Sequence, residues 1–200
     1  MSNLLPYLPA TVVAAVFLFI AKEVIEAVRR YRADARKVQA LKALLARECE
    51  LNLWPIKSLR DIFKNVPTLD DENPQILVRI EQRPSGRAIA RIRSCDGGLE
   101  STRTVPEVHC DLMSKHLFEV AALDRKLFEV FEPAYDSLAT LQHVRESLVH
   151  IHESEEEADN PDLLRGLADY GLGELKRTEA ALDALYFHCT RKNLETHRLR

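Results

Sequence analysis

Glycine is scarce in this chain, with six in 200 residues. Loops that cradle phosphate need glycine where backbone amides approach the anion, and neither G-x-x-x-x-G-K-S/T nor G-x-G-x-x-G occurs. G-x-S-x-G and H-E-x-x-H are also absent, which removes the usual hydrolase elbow and zinc-protease helix. Cysteine is thin and dispersed. Cys49, Cys95, Cys110 and Cys189 form no C-x-x-C pair, so they read as small apolar residues rather than a zinc site or disulfide framework. No metal and no cofactor is expected.

Charge is missing altogether from Leu4 to Ala21, an 18-residue run. Eighteen helical residues rise ~27 Å, close to the ~30 Å hydrocarbon core of a bilayer. A secretory leader would need basic residues before the run and a small-residue cleavage site after it, and neither Met1–Asn3 nor Lys22–Ile25 supplies them. A buried core helix is the soluble alternative, favoured by Pro6 and Pro9, which move the helix start to about Pro9. Val24, Ile25, Ala27 and Val28 restore apolar length at the other end. The expectation is a single membrane span.

The flanks orient it. Lys22 to Arg47 holds eight basic and three acidic residues, all on one side of the run. The positive-inside rule then puts the N-terminus outside and the remaining chain in the cytoplasm of a plasma or bacterial inner membrane. Arg29, Arg30 and Arg32 would lie at the membrane surface beside anionic lipid. Farther along the balance reverses. Glu107 to Glu179 carries 17 acidic and 7 basic residues, a composition that repels nucleic acid.

No glycine or proline interrupts Lys22 to Trp54, and Val28, Tyr31, Ala35, Val38, Leu41 and Leu45 recur at helical steps. This stripe packs on the domain's own core or pairs as a coiled coil with a second copy. Pro55 is expected to kink or end the helix, with Ile56–Phe63 a further helical piece. After the linker 66–74 the period becomes two. Ile76, Val78 and Ile80, then Ala88, Ala90 and Ile92, predict a hairpin turning at Pro84-Ser85-Gly86, with a third strand over Leu99–Val105. Helices are expected from Pro106 to about Phe131, Pro133 to about His152, Pro161 to a break at Gly171 and Gly173, and Glu174 to about Leu194. The predicted fold is mainly α with a small β-meander. Residues 1–21 form the transmembrane segment, 22–65 a juxtamembrane helix, 75–105 the meander and 106–200 an antiparallel helical bundle.

Two constellations carry candidate chemistry. Arg79, Arg83, Arg87, Arg91 and Arg93 fall on the predicted outward side of the hairpin and could grip an anionic partner, or pair with the acidic loop Glu153–Glu157. Arg145-Glu-Ser-Leu-Val-His150 resembles the R-x4–6-H pattern of HEPN-type ribonucleases, which are helical bundles. That resemblance implies that Arg145 and His150 would act on the RNA phosphate and 2′-hydroxyl, usually across a dimer. The match covers six residues and lacks the asparagine common after the arginine. His143, Glu146 and His150 share a helix face, but no second helix offers a completing motif, so a polar face is expected.

The expected role is a non-enzymatic scaffold, adaptor or sensor, held at the membrane and binding a protein partner or a second copy of itself. A HEPN-like membrane-tethered ribonuclease is the enzymatic alternative. A membrane-disrupting effector acting through an oligomerised span is the other.

Overall fold

A computed structural model describes residues 10–67, 76–94, 100–153 and 161–194. Among the described residues it is mainly helical, with four helices and one small sheet. Helix α1 spans Ala10–Phe63, β1 Ile76–Gln82, β2 Ala88–Ser94, β3 Glu100–Thr104, α2 Asp111–Leu123, α3 Arg125–Glu153 and α4 Pro161–Thr190. The chain divides into two compact units, Met1–Ala40 and Leu41–Arg200.

The first unit is the leading part of α1. Val12, Phe17, Leu18, Phe19 and Ile20 are all exposed along it, Leu18 to 72%. Glu26 bridges Lys22 (3.9 Å) and Arg30 (3.5 Å) one turn away on either side. The predicted membrane span, Leu4 to Ala21, falls only partly on described residues. Among the described residues no helix is long and apolar enough to cross a membrane. Leu4 to Pro9 lie outside the described residues. Within the described part of α1, Ala10–Ala21 precede the first charge, a rise of about 18 Å. Extending that stretch to Ala27 takes in Lys22, Glu23 and Glu26.

The second unit is built on an antiparallel bundle. Arg60 of α1 meets Glu179 of α4, while Glu50, earlier in α1, accepts a hydrogen bond from Tyr186, later in α4. Thr178 of α4 donates to the Ser137 carbonyl of α3 at 3.2 Å, and Cys110, just before α2, donates to Gln142 of α3 at 2.9 Å. The interior is assembled from three- and four-residue steps. Leu41, Leu45, Ile56, Leu59 and Phe63 come from α1, Leu127, Phe131, Leu138, Leu141 and Leu148 from α3, and Leu175, Leu182 and Leu185 from α4. The stripe read from the sequence therefore divides: Leu41 and Leu45 are buried, whereas Val28 and Tyr31 are exposed.

Several expected breaks are continuous helix. Pro55 lies inside α1 and is itself buried; Ile56, Leu59, Ile62 and Phe63 just beyond it fill the core, and that packing offsets one missing backbone hydrogen bond. Pro133 likewise lies inside α3. The break falls instead at Asp124, whose backbone is extended and whose Oδ1 accepts from the Leu127 N–H at 3.0 Å, capping α3. Helix α2 starts at Asp111 rather than Pro106. Gly171 and Gly173 sit inside α4 without ending it. A Cβ on Gly171 would stand 2.6 Å from Cε2 of the buried Phe63 ring, so this glycine permits close helix packing.

The meander is found as expected, in the order β1-β2-β3 and antiparallel throughout. Gly86 at φ +77 takes the left-handed conformation the turn requires; its N–H donates to the Arg83 carbonyl (2.8 Å) and the Arg83 N–H to the Arg87 carbonyl (2.9 Å). Val78, Ile80, Ala88, Ala90 and Ile92 turn toward the helices and join the core. Of the expected linker 66–74, residues 68–74 lie outside the described residues, as do the acidic residues 154–160.

Candidate functional site

The register fixes which residues share the outer face of the sheet. Arg79 stands opposite Arg91, Leu77 opposite Arg93, and Glu81 opposite Ile89. Across the next ladder Arg91 faces Thr102 and Arg93 faces Glu100. Two-residue alternation therefore puts Arg79, Arg91 and Arg93 on one face with Glu81, Glu100, Thr102 and Thr104. Arg83 and Arg87 flank the turn outside the strands.

This face is a mixed ion-pair cluster rather than a uniform cationic surface. Arg91 Nε lies 2.7 Å from Glu81 and its NH1 3.2 Å from Glu100; Arg93 NH2 lies 3.1 Å from the other Glu100 oxygen. Hydrogen bonding from Arg93, then its charge and the hydrogen bond from Arg91, holds the Glu100 carboxyl below its ordinary value. The cluster also lets two like charges, Arg79 and Arg91, stand directly opposite each other. The five predicted arginines thus separate. Arg91 and Arg93 are committed to carboxylates within the sheet, while Arg79, Arg83 and Arg87 are exposed and make no ion pair among the described residues. The alternative pairing with Glu153–Glu157 falls outside the described side chains.

A second polar constellation, missed in the sequence, is buried. Glu48 on α1 is 1% exposed, and its carboxylate oxygens accept from the N–H groups of Leu112 (2.8 Å) and Met113 (2.7 Å). These are first-turn amides of α2, whose own N-cap residue, Cys110, makes no side-chain capping bond. A carboxylate at a helix N-terminus also meets the favourable end of the macrodipole. One turn later on α1, Asn52 is fully buried. Its Nδ2 donates to the carbonyls of Glu48 (2.9 Å) and His109 (2.7 Å), and its Oδ1 accepts from the His109 N–H (2.9 Å). Two side chains four residues apart thereby fasten the start of α2 to α1. Burial raises the Glu48 pKa above 4.5, against the lowering effect of the two amides. The signal was present: Glu48 and Asn52 occupy core-phase positions after Leu41 and Leu45, where an unpaired polar residue would be costly.

The remaining candidates are dispersed. Arg145 is half-buried and its Nε donates to the Pro106 carbonyl at 3.3 Å. His150 is exposed and lines a cavity of about 440 Å³ with Ser147 and Ile151 of α3 and Asp162, Leu163, Gly166 and Leu167 of α4. Five residues on one helix separate their directions by about 140°, and Arg145 does not line that cavity. Glu146 accepts from Gln142, and among the described residues no cluster of histidine, cysteine and carboxylate groups could hold a metal ion. Arg29, Arg30 and Arg32 are exposed on the first unit, Arg30 in its pair with Glu26. Cys49 is buried, and desolvation raises its thiol above the ordinary range; burial also pushes Cys189 up, to about 11.

Comparison of the chain with protein-family models, curated proteins and solved structures finds no match.

Proposed function

We propose that this protein is a non-enzymatic scaffold or adaptor, held at the cytoplasmic face of a membrane by its N-terminal segment and presenting its second unit to partners. The carrying observation is the exposure of Val12, Val13, Val16, Phe17, Leu18, Phe19 and Ile20 around the whole circumference of the leading helix. A helix apolar on every side finds no favourable state in water; lipid or another apolar surface satisfies it. The basic residues Arg29, Arg30 and Arg32 immediately beyond would meet anionic headgroups at ~1 kcal/mol each. The uncharged residues Leu4 to Pro9 ahead of Ala10 would add apolar length to the same anchor.

The non-enzymatic part of the proposal draws on how the second unit spends its polar groups. Glu48, Asn52 and Thr178, all buried, are committed to backbone partners, and Arg145 holds a carbonyl. These are the bonds of a rigid body rather than of side chains poised for chemistry.

Fractionation of cells expressing the full chain tests the anchor. The intact chain is expected in the membrane pellet after alkaline carbonate extraction, and the Phe17→Lys, Leu18→Lys double variant in the supernatant. Recovery of the intact chain in the soluble fraction would overturn the reading.

A further inference from the structure

The apolar stripe of α1 is only half accounted for by the bundle. Leu41 and Leu45 are buried there, whereas Val24, Val28, Tyr31 and Ala35 are exposed, Tyr31 to 77%, and Val38 is half-buried. These five fall at alternating steps of four and three residues, the spacing of a coiled-coil seam. Ala14, Phe17 and Ala21 carry the same steps back through the uncharged run, so the seam reaches about three and a half heptads, the length such pairing needs. Charge respects the same phase. Of the nine charged residues in 22–40, none lies on the seam and seven lie at its outer positions. Glu26, paired with Lys22 and Arg30, stands on the face directly opposite. Only Arg32 and Asp34 border the seam, one on each flank.

We propose that Val24–Val38 pairs with the same segment of a second copy, parallel and in register, as a two-stranded coiled coil. The flanks select both the occupant and the direction. Two copies running the same way bring the Arg32 flank of each helix against the Asp34 flank of the other, whereas opposed copies set like flanks together. A second copy therefore carries the complement to this face in its own sequence. The seam stops where the bundle begins to use the helix. Lys42 takes the next seam position, and its ammonium lies 3.8 Å from Asp124 within the second unit. The pairing stands without the membrane reading, although an anchor at one end of the helix would align two copies in this same direction. It also leaves the other sides of Val12–Ile20 uncovered, because a seam buries one face only.

Cysteine scanning of the full-length chain, oxidised in whichever cell fraction holds it, reads the register apart from the anchor. Identical seam residues face each other in a parallel pair, within disulfide reach. Val28→Cys, Tyr31→Cys, Ala35→Cys and Val38→Cys should each cross-link to themselves at least about tenfold faster than Arg30→Cys or Lys37→Cys, and than the parent chain with its own four cysteines. Val28→Lys with Tyr31→Lys should abolish the Val38→Cys cross-link and leave the thermal melt of the bundle unchanged, since both side chains are exposed in the single chain. Rates without the four-and-three period would mean that lipid or a different protein meets this face. Mixed Val24→Cys and Val38→Cys chains that prefer each other to themselves would mean an antiparallel pair. Either result would overturn the proposal.

Discussion

Two carboxylate clusters in this protein use the same chemistry in opposite surroundings. On the sheet, Glu81 and Glu100 meet Arg91 and Arg93 in contact with water. In the bundle, Glu48 meets no cation in its hydrogen bonds; it meets two helix amides, out of water. Solvent decides how much each arrangement contributes. A charged pair that water also solvates gains little from its partner, whereas a buried carboxylate stripped of its amides leaves uncompensated groups on both sides. The exposed cluster can thus be remodelled at small cost, which suits an interaction surface, and the buried one holds the body that presents it.

The largest test of this contrast is truncation of the buried pair. Glu48→Ala should cost about 3 kcal/mol and Asn52→Ala about 2 kcal/mol in chemical denaturation, because each leaves backbone groups at or just before the start of α2 without their partner. A loss below ~1 kcal/mol for both would make them no different from the surface cluster.

The glycines of α4 offer a paired comparison on the same principle. Gly171→Ala must displace the Phe63 ring and should destabilise by about 1–3 kcal/mol. Gly173→Ala meets nothing within 4 Å and should stabilise by up to ~1 kcal/mol through helix propensity. Thermal melts of the two variants should move in opposite directions.

Acidity separates the clusters by sign. The folded-state pKa of Glu48 is raised, so its contribution is full below about 4.5 and declines as pH rises through the folded value. That of Glu100 is lowered, so its contribution is present above the unfolded value and is lost as pH falls through the folded one. The stability gap between wild type and Glu48→Gln should therefore widen from pH 7 to pH 5. A gap that narrows would remove desolvation as the dominant influence on Glu48.

The smallest effect is expected on the sheet face. Arg93→Ala should change stability by less than ~0.5 kcal/mol at 0.15 M salt, and the difference should shrink further at 1 M. A loss above ~1.5 kcal/mol would mean the exposed cluster is structural after all.

The meander was readable because strand alternation and Pro84-Ser85-Gly86 are local signals. Its arginines were not readable in the same way, since Glu100 reaches Arg91 and Arg93 only once β3 has folded alongside β2. The helices were legible in kind but not in their limits. Pro55, Pro133, Gly171 and Gly173 are breakers in isolation, yet all four lie inside helices; Pro55 is buried there, and Gly171 packs against Phe63 of a distant helix. The opposite error occurred at Asp124, a capping residue inside an apparently unbroken apolar pattern. Arg145 and His150 are neighbours in sequence but face different surroundings, because five residues of helix do not complete whole turns.

By itself the sequence determined the mainly helical class, the three-stranded meander, the apolar leading segment and the reversal of charge along the chain. These follow from periodicity and composition, which act within a few residues. Only the tertiary structure decided that Glu48 and Asn52 would cap and fasten α2, that Gly171 would admit Phe63, and that Ser58 of α1 would reach the Thr104 carbonyl of β3. Those outcomes depend on which surfaces lose their water when distant elements meet.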